Sequence, residues 1–165
     1  MPNSAYIGIG SNLGSPLANC QQALTHFENH PEIQVTACSS FYKTQPVGVT
    51  EQGWFVNAVA KILTDLEPLP LLELLLGIEK AMGRTRDKKW GPRIVDLDLL
   101  LYEDRIIKIP RLQIPHPEMN RRRFVLAPLS ELASGTIHPV ANKTIQQLLS
   151  ELPENEKVIK VHTAT

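Results

Sequence analysis

Two aspartates one residue apart, Asp96 and Asp98, follow a run of cations in this 165-residue chain. The segment reads Trp90-Gly91-Pro92-Arg93-Ile94-Val95-Asp96-Leu97-Asp98-Leu99-Leu100-Leu101, and Arg84, Arg86, Lys88 and Lys89 lie just before it. In a strand, residues two apart share a face. Val95, Leu97, Leu99 and Leu101 are then expected to face the core, with Asp96 and Asp98 side by side on the opposite face. Carboxylates that close repel each other unless a cation or proton lies between them. Hard oxygen ligands without thiols suit Mg²⁺ or Mn²⁺ better than zinc. Arginines grip phosphate oxygens bidentately. A metal-holding pair facing arginines is what phosphoryl transfer needs, because metal and cations together neutralise the migrating group. The competing reading is a solvated strand face beside a solvated basic loop.

Other segments carry weaker signals. Gly8-x-Gly10-Ser11-Asn12-Leu13-Gly14 is one residue too long for G-x-G-x-x-G and lacks the Gly-Lys-Ser/Thr of a P-loop, so it reads as a tight strand-to-helix turn. Trp54, Phe55, Asn57, Trp90 and Phe124 offer aromatic faces and an amide that can stack a flat heterocycle and read its edge, with ordinary packing as the alternative. His116 lies in a proline-held turn, Ile114-Pro115-His116-Pro117, suited to a phosphate or to capping a loop. Arg121-Arg122-Arg123 reads as a solvated basic face. Spacing supports no Ser-His-Asp or Cys-His arrangement.

The elements that must position these residues follow from hydrophobic periodicity. Residues 5–10 alternate, with Ala5, Ile7 and Ile9 on one face and Tyr6, Gly8 and Gly10 on the other. Glycine in a strand often marks close approach by a ligand or another backbone. Ser15-Pro16 predicts an N-cap and a first helix over 16–28. Strands are predicted over 33–42, 54–63 and 94–101, with a loop over 44–53. A second helix opens at Pro68; Leu71, Leu75, Ile78 and Met82 share its face, and Gly83 ends it. Short helices are expected near 117–134 and 143–151 in a proline-broken remainder. The order β-α-β-β-α-β predicts an α+β, ferredoxin-like antiparallel sheet with helices on one face, followed by an irregular C-terminal extension.

Composition sets the bounds. The length suits one domain, residues 1–165. Hydrophobic residues make up 42% and charged residues 21%, as in an ordinary globular protein. Formal net charge is zero, so no global basic field exists to hold nucleic acid. Cys20 and Cys38 have no zinc-site or disulfide spacing, which fits a reducing compartment. No signal peptide and no apolar run of about 20 residues is seen, so a cytoplasmic location without membrane contact is expected.

The motifs together resemble the 6-hydroxymethyl-7,8-dihydropterin pyrophosphokinase family of folate biosynthesis. The segments that carry the likeness are Tyr6-Ile7-Gly8-Ile9-Gly10-Ser11-Asn12-Leu13, Ser40-Phe41-Tyr42-Lys43-Thr44, Phe55-Val56-Asn57-Ala58, Glu79 with Gly83-Arg84-Thr85-Arg86, the run from Trp90 to Asp98, and Ile114-Pro115-His116. They span about residues 5–130.

The resemblance implies Mg²⁺-dependent transfer of pyrophosphate from ATP to the hydroxymethyl group of the dihydropterin, with AMP released, on a ferredoxin-like fold. By position, Asp96 and Asp98 would hold two Mg²⁺ ions, and Arg84, Arg86, Trp90 and Arg93 would belong to a catalytic loop over ATP. Glu79, Arg111, His116 and Arg122 would contact the nucleotide. Thr44, Val47, Phe55, Asn57 and Phe124 would form the pterin pocket, Asn57 pairing with the ring edge between the two phenylalanines. The partners implied are these two small molecules, met by a monomer.

Three positions depart from the family pattern. Gln45 replaces an expected proline, Phe55 a frequent tyrosine and Arg123 a common glycine. Two other classes fit parts of the pattern: another Mg²⁺-dependent nucleotidyl- or phosphotransferase on the same kind of sheet, and a small RNA-binding module with aromatic residues on a four-stranded sheet. The neutral net charge and the paired aspartates argue against the latter.

Overall fold

The computed structural model describes residues 2–44, 54–83, 94–154 and 158–161. Its centre is strand β1 (Asn3–Ser11), flanked by β4 (Phe55–Thr64) and β5 (Asp96–Tyr102). On the far edge of β4 lie β2 (Ile33–Cys38) and β3 (Tyr42–Thr44), and β8 (Val158–Lys160) pairs with β3. Every pairing is antiparallel. A separate hairpin joins β6 (Ile107–Ile109) to β7 (Leu112–Ile114).

The expected strand 33–42 is two strands. Ser39 interrupts it, donating its amide to the Val59 carbonyl at 2.8 Å and accepting the Val59 amide on its Oγ at 2.8 Å. A short hydroxyl side chain here replaces a rung of the ladder.

One sheet face is apolar in Ala5, Ile7, Ile9, Ala60, Ile62, Leu97 and Leu99. Helices α1 (Pro16–Glu28) and α2 (Pro68–Ala81) cover it, α1 with Cys20, Ala23 and Phe27 and α2 with Leu71, Leu75 and Ile78. Both helices open on proline as expected, but the Ser15 side chain makes no cap bond. Gly83 follows α2 at a φ of +132°, a left-handed conformation that favours glycine.

The other face is not bare, contrary to the one-sided expectation. Helices α3 (Arg123–Ala133) and α4 (Ile145–Ser150) bury Val125, Leu126, Leu129, Ile145 and Leu148 against Tyr6, Val59, Leu100 and Leu101. The C-terminal extension is therefore less irregular than expected: the two short helices foreseen near 117–134 and 143–151 form a second layer, and β8 adds an edge strand. Glu131 ties α3 to the sheet edge. It accepts from Tyr42 Oη, and its Oε1 accepts from the Ser40 amide at 3.0 Å and Oγ at 3.1 Å. Burial pushes the Glu131 carboxyl up, but the Tyr42 and Ser40 hydrogen bonds outweigh it and hold it below its ordinary value.

His138 closes the turn before α4. It is 3% exposed, and its Nδ1 accepts the amides of Val140 at 3.2 Å and Ala141 at 3.0 Å. Burial lowers its pKa. The native state then binds fewer protons than the unfolded chain as pH falls through the unfolded value of about 6.5, so stability drops across that window. Urea unfolding near neutrality and about one to two pH units lower is expected to show this loss. In His138→Ala the pH dependence should be shallower, because one of the two histidines that burial holds below the ordinary value, His138 and His116, is removed.

Candidate active site

The register of three strands builds the site. Asp96 pairs with Gly10, Gly10 with Asn57, and Asn57 with Tyr42. One rung along, Asp98 pairs with Gly8 and Gly8 with Val59. Residues directly opposite in an antiparallel pair share a face. Asp96 and Asp98 thus stand side by side, as the two-residue period predicts, on the face that α3 covers. The alternation does not continue to Leu101. Ile7 pairs with Leu99 and Tyr6 with Leu101, so Leu100 is an extra residue on β5. This bulge returns Leu101 to the α3 side, where it packs with Leu100.

A cleft of about 370 Å³ opens over these rungs. Gly8 and Gly10 form its floor, Asp96 and Asp98 one wall, Phe55 and Asn57 the opposite wall, and Arg122, Phe124 and Val125 its roof. Phe55, Asn57 and Phe124, expected around a flat ring and its edge, all line this one cleft. Arg122 sits over the Phe124 ring, 5.6 Å from its centroid. Asn57 Nδ2 in this cleft is a buried polar atom with no hydrogen-bond partner among the described residues, and so is Thr44 Oγ1, which lies on β3 opposite Phe55 and does not line the cleft. Buried donors without partners are costly and rare, and a ligand supplies the missing bonds.

A second cleft of about 310 Å³ lies against the other side of Asp98. Leu97, Asp98, Arg111, Gln113 and His116 line it. The His116 amide donates to the Leu100 carbonyl at 2.9 Å, and its Nδ1 accepts the Glu118 amide at 3.1 Å. With Nδ1 occupied, Nε2 is the nitrogen left for a ligand. Burial pushes the His116 pKa down against the pull of Asp98. Arg111 is exposed and pairs with Glu73 on α2. Asp98 belongs to both clefts, and Arg122 lines the first while its charge also acts on His116.

The carboxylate pair fits a divalent cation carried by a phosphate ligand. Asp96 is exposed and Asp98 half-buried, so both reach the cleft. No group of three or more His, Cys, Asp or Glu side chains among the described residues could hold a metal alone. Mg²⁺ commonly binds through one or two carboxylates plus substrate phosphates. The thiols take no part. Burial pushes Cys20 up to about 12 and Cys38 up to about 11.

A sequence model of the 7,8-dihydro-6-hydroxymethylpterin-pyrophosphokinase (HPPK) family matches residues 6–134. The chain belongs to this family. A 2-amino-4-hydroxy-6-hydroxymethyldihydropteridine pyrophosphokinase of Methylorubrum extorquens is 43% identical over 90% of this chain and 92% of its own length. The same-named protein of Haemophilus influenzae is 43% identical over 96% and 98%, and that of Bacillus subtilis 46% over 80% and 79%. The crystal structure of Plasmodium falciparum HPPK-DHPS with pteroate shares the fold, with a TM-score of 0.75 at 16% identity. It covers 92% of this chain, which spans 42% of that longer protein.

Among the HPPK-type positions, Val47, Arg84, Arg86, Trp90 and Arg93 lie outside the described residues, as does the departure at Gln45. Arg123, the third departure, points away from both clefts; its NH2 donates to the carbonyls of Leu152 at 3.2 Å and Pro153 at 3.1 Å. Sequence reasoning missed Ser11 and Asn19. Ser11 Oγ donates to the Ile94 carbonyl at 2.6 Å, where the chain leaves the basic segment for β5. Asn19 Nδ2 donates to Ser11 Oγ at 3.2 Å and to the Leu13 carbonyl at 2.7 Å. Ser11 at the end of β1 was the available signal, because such side chains bond nearby backbone, whereas Asn19 lies inside α1.

Glu79 differs most from its expected nucleotide contact. It is 6% exposed and lines neither cleft. Its Oε2 accepts the amide of Leu97, the residue between the two aspartates, at 2.7 Å. β5 is an edge strand, so its outward amides need partners from outside the sheet. Glu79→Leu is expected to lose about 1–3 kcal/mol of stability, the range for orphaning a buried partner. Glu79→Gln keeps an acceptor and should lose less; urea unfolding of both variants checks the order.

Proposed function

We propose that the chain transfers pyrophosphate from ATP to 6-hydroxymethyl-7,8-dihydropterin, forming AMP and the dihydropterin diphosphate in folate biosynthesis. The observation that carries this reading is the shared aspartate: Asp98 lines both clefts. A two-substrate transfer needs two ligands whose reacting ends meet, and here they meet at a carboxylate pair.

The first cleft suits the pterin. Phe55 and Phe124 offer faces to a flat ring, and the unpartnered Asn57 Nδ2 offers a polar contact to its edge. The second cleft suits the nucleotide, with Arg111 and His116 beside Asp98. Asp96 and Asp98 would hold Mg²⁺, two ions by the family's chemistry, which would neutralise phosphate charge when bound. The dihydropterin hydroxyl attacks the β-phosphorus in line. A new O–P bond forms, the α,β-bridging P–O bond breaks, AMP leaves, and the hydroxyl proton passes to solvent. The protein's contribution is positioning and charge neutralisation. Arg122 lines the first cleft and its charge reaches His116 in the second, and Arg84, Arg86 and Arg93 are proposed to add charge from the segment before β5.

Action as a monomer on diffusible substrates belongs to the same reading. Free Cys20 and Cys38 fit the reducing cytoplasm. No helix among the described residues is long and apolar enough to cross a membrane.

Incubation with ATP, Mg²⁺ and 6-hydroxymethyl-7,8-dihydropterin is expected to yield AMP; ADP as the product would overturn the reading. Asp96→Ala and Asp98→Ala should each lower turnover by about 10²–10³-fold or more while the fold survives, since losing one preorganised electrostatic group has that scale. Near-normal turnover in either variant would remove the carboxylates from the mechanism.

A further inference from the structure

The Gly8-to-Leu13 motif fails as a phosphate loop, yet its second glycine lies in the most constrained place in the cleft. Gly10 stands between Asp96 and Asn57 in one cross-strand row. A Cβ built on Gly10 would lie 2.6 Å from Asn57 Oδ1, whereas real contacts of this kind stay beyond 3.0 Å. Its next neighbours are 3.7 Å and 3.9 Å away, so the conflict is confined to that one carboxamide. Gly8, one rung along, would meet only the Leu100 side chain at 3.5 Å, an ordinary contact.

We infer that Gly10 is a positioning residue for substrate recognition: its missing side chain is the space in which the Asn57 carboxamide lies. This rests on the pterin reading of the first cleft. Asn57 is 8% exposed, its Oδ1 lies over Gly10, and its Nδ2 has no partner among the described residues. An amide presents an acceptor and a donor in one plane, so its rotation decides which edge of a heterocycle it matches. Gly10 fixes that rotation by leaving one side open.

The glycine is not required by the backbone. Gly14 and Gly83 have positive φ, and Gly10 does not. Alanine at position 10 is therefore compatible with the strand, and replacing a strand glycine with alanine commonly leaves stability level or raised. The atom that must yield is the end of a side chain, so Gly10→Ala should disturb recognition and spare the fold.

Calorimetry of Gly10→Ala is expected to show pterin affinity weakened about tenfold, the scale of a buried hydrogen bond left unmade. Binding of ATP with Mg²⁺ should stay within about twofold of wild type, and the melting temperature should not fall. In the Asn57→Ala background, adding Gly10→Ala should change pterin affinity no further, because residues that act through one another are not additive. The side-chain amide resonances of Asn57 should shift in ligand-free Gly10→Ala. Wild-type pterin affinity in Gly10→Ala, additive losses in the double variant or unmoved Asn57 resonances would each overturn the inference. A wild-type chain that binds ATP but no pterin would instead overturn the reading of the cleft, leaving the resonance shift to decide whether Gly10 positions Asn57.

Discussion

The antiparallel register of β5 on β1, and of β1 on β4, places every cleft residue that the sheet supplies. A slip of one residue of β5 on β1 would exchange the two faces of β5. Asp96 and Asp98 would then enter the core against α1 and α2, and Leu97 would take their place. The register is held by the burial of Ile7, Ile9, Leu97 and Leu99 on the opposite face. The bulge at Leu100 ends this alternation just past Asp98, so β5 serves the aspartates on one stretch and the α3 core on the next.

Because β5 is an edge strand, the sheet secures it from one side only. Two side chains complete the support, one from helix α2 and one from the end of β1. Glu79 reaches from α2 to the Leu97 amide, and Ser11 reaches from the end of β1 to the Ile94 carbonyl. Both bonds go to backbone, so they fix the strand without competing for the carboxylates. On the opposite side Glu131 holds α3, with Arg122 and Phe124 at its N-terminal end, to Ser40 and Tyr42 beside Thr44. Walls from distant parts of the chain are thereby tied at points away from the ligand. With zero net charge, electrostatics is local: two carboxylates face Arg122 across a cleft that two glycines keep open.

Much of this was legible in the sequence because strands and helices imprint their periods. The alternation of residues 5–10, the proline starts of α1 and α2 and the shared face of Asp96 and Asp98 follow from local chemistry. The glycines of β1 already marked a close approach. What was not legible depends on long-range packing. Whether helices cover one face or both is decided by α3 and α4, whose partners Tyr6, Val59 and Leu100 lie far away in sequence. Glu79, offered by the resemblance as a nucleotide contact, becomes a buried acceptor only when β5 lies beside α2. The break at Ser39 needs Val59 as its partner. The motif from Gly8 to Leu13 was specific as a signature and silent about its role, because Gly10 matters for the atom it lacks and Ser11 for a carbonyl far along the chain.

The central claim is that Asp98 joins the two clefts and binds the cation its ligand brings. Calorimetric titration of a non-hydrolysable ATP analogue, with and without Mg²⁺, into wild type and Asp98→Asn tests it most directly. The isosteric change preserves packing and removes one charge. The account predicts that Mg²⁺ strengthens nucleotide binding in wild type, that this gain is lost in Asp98→Asn, and that the melting temperature is unchanged. An equal Mg²⁺-dependent gain in both proteins would contradict it.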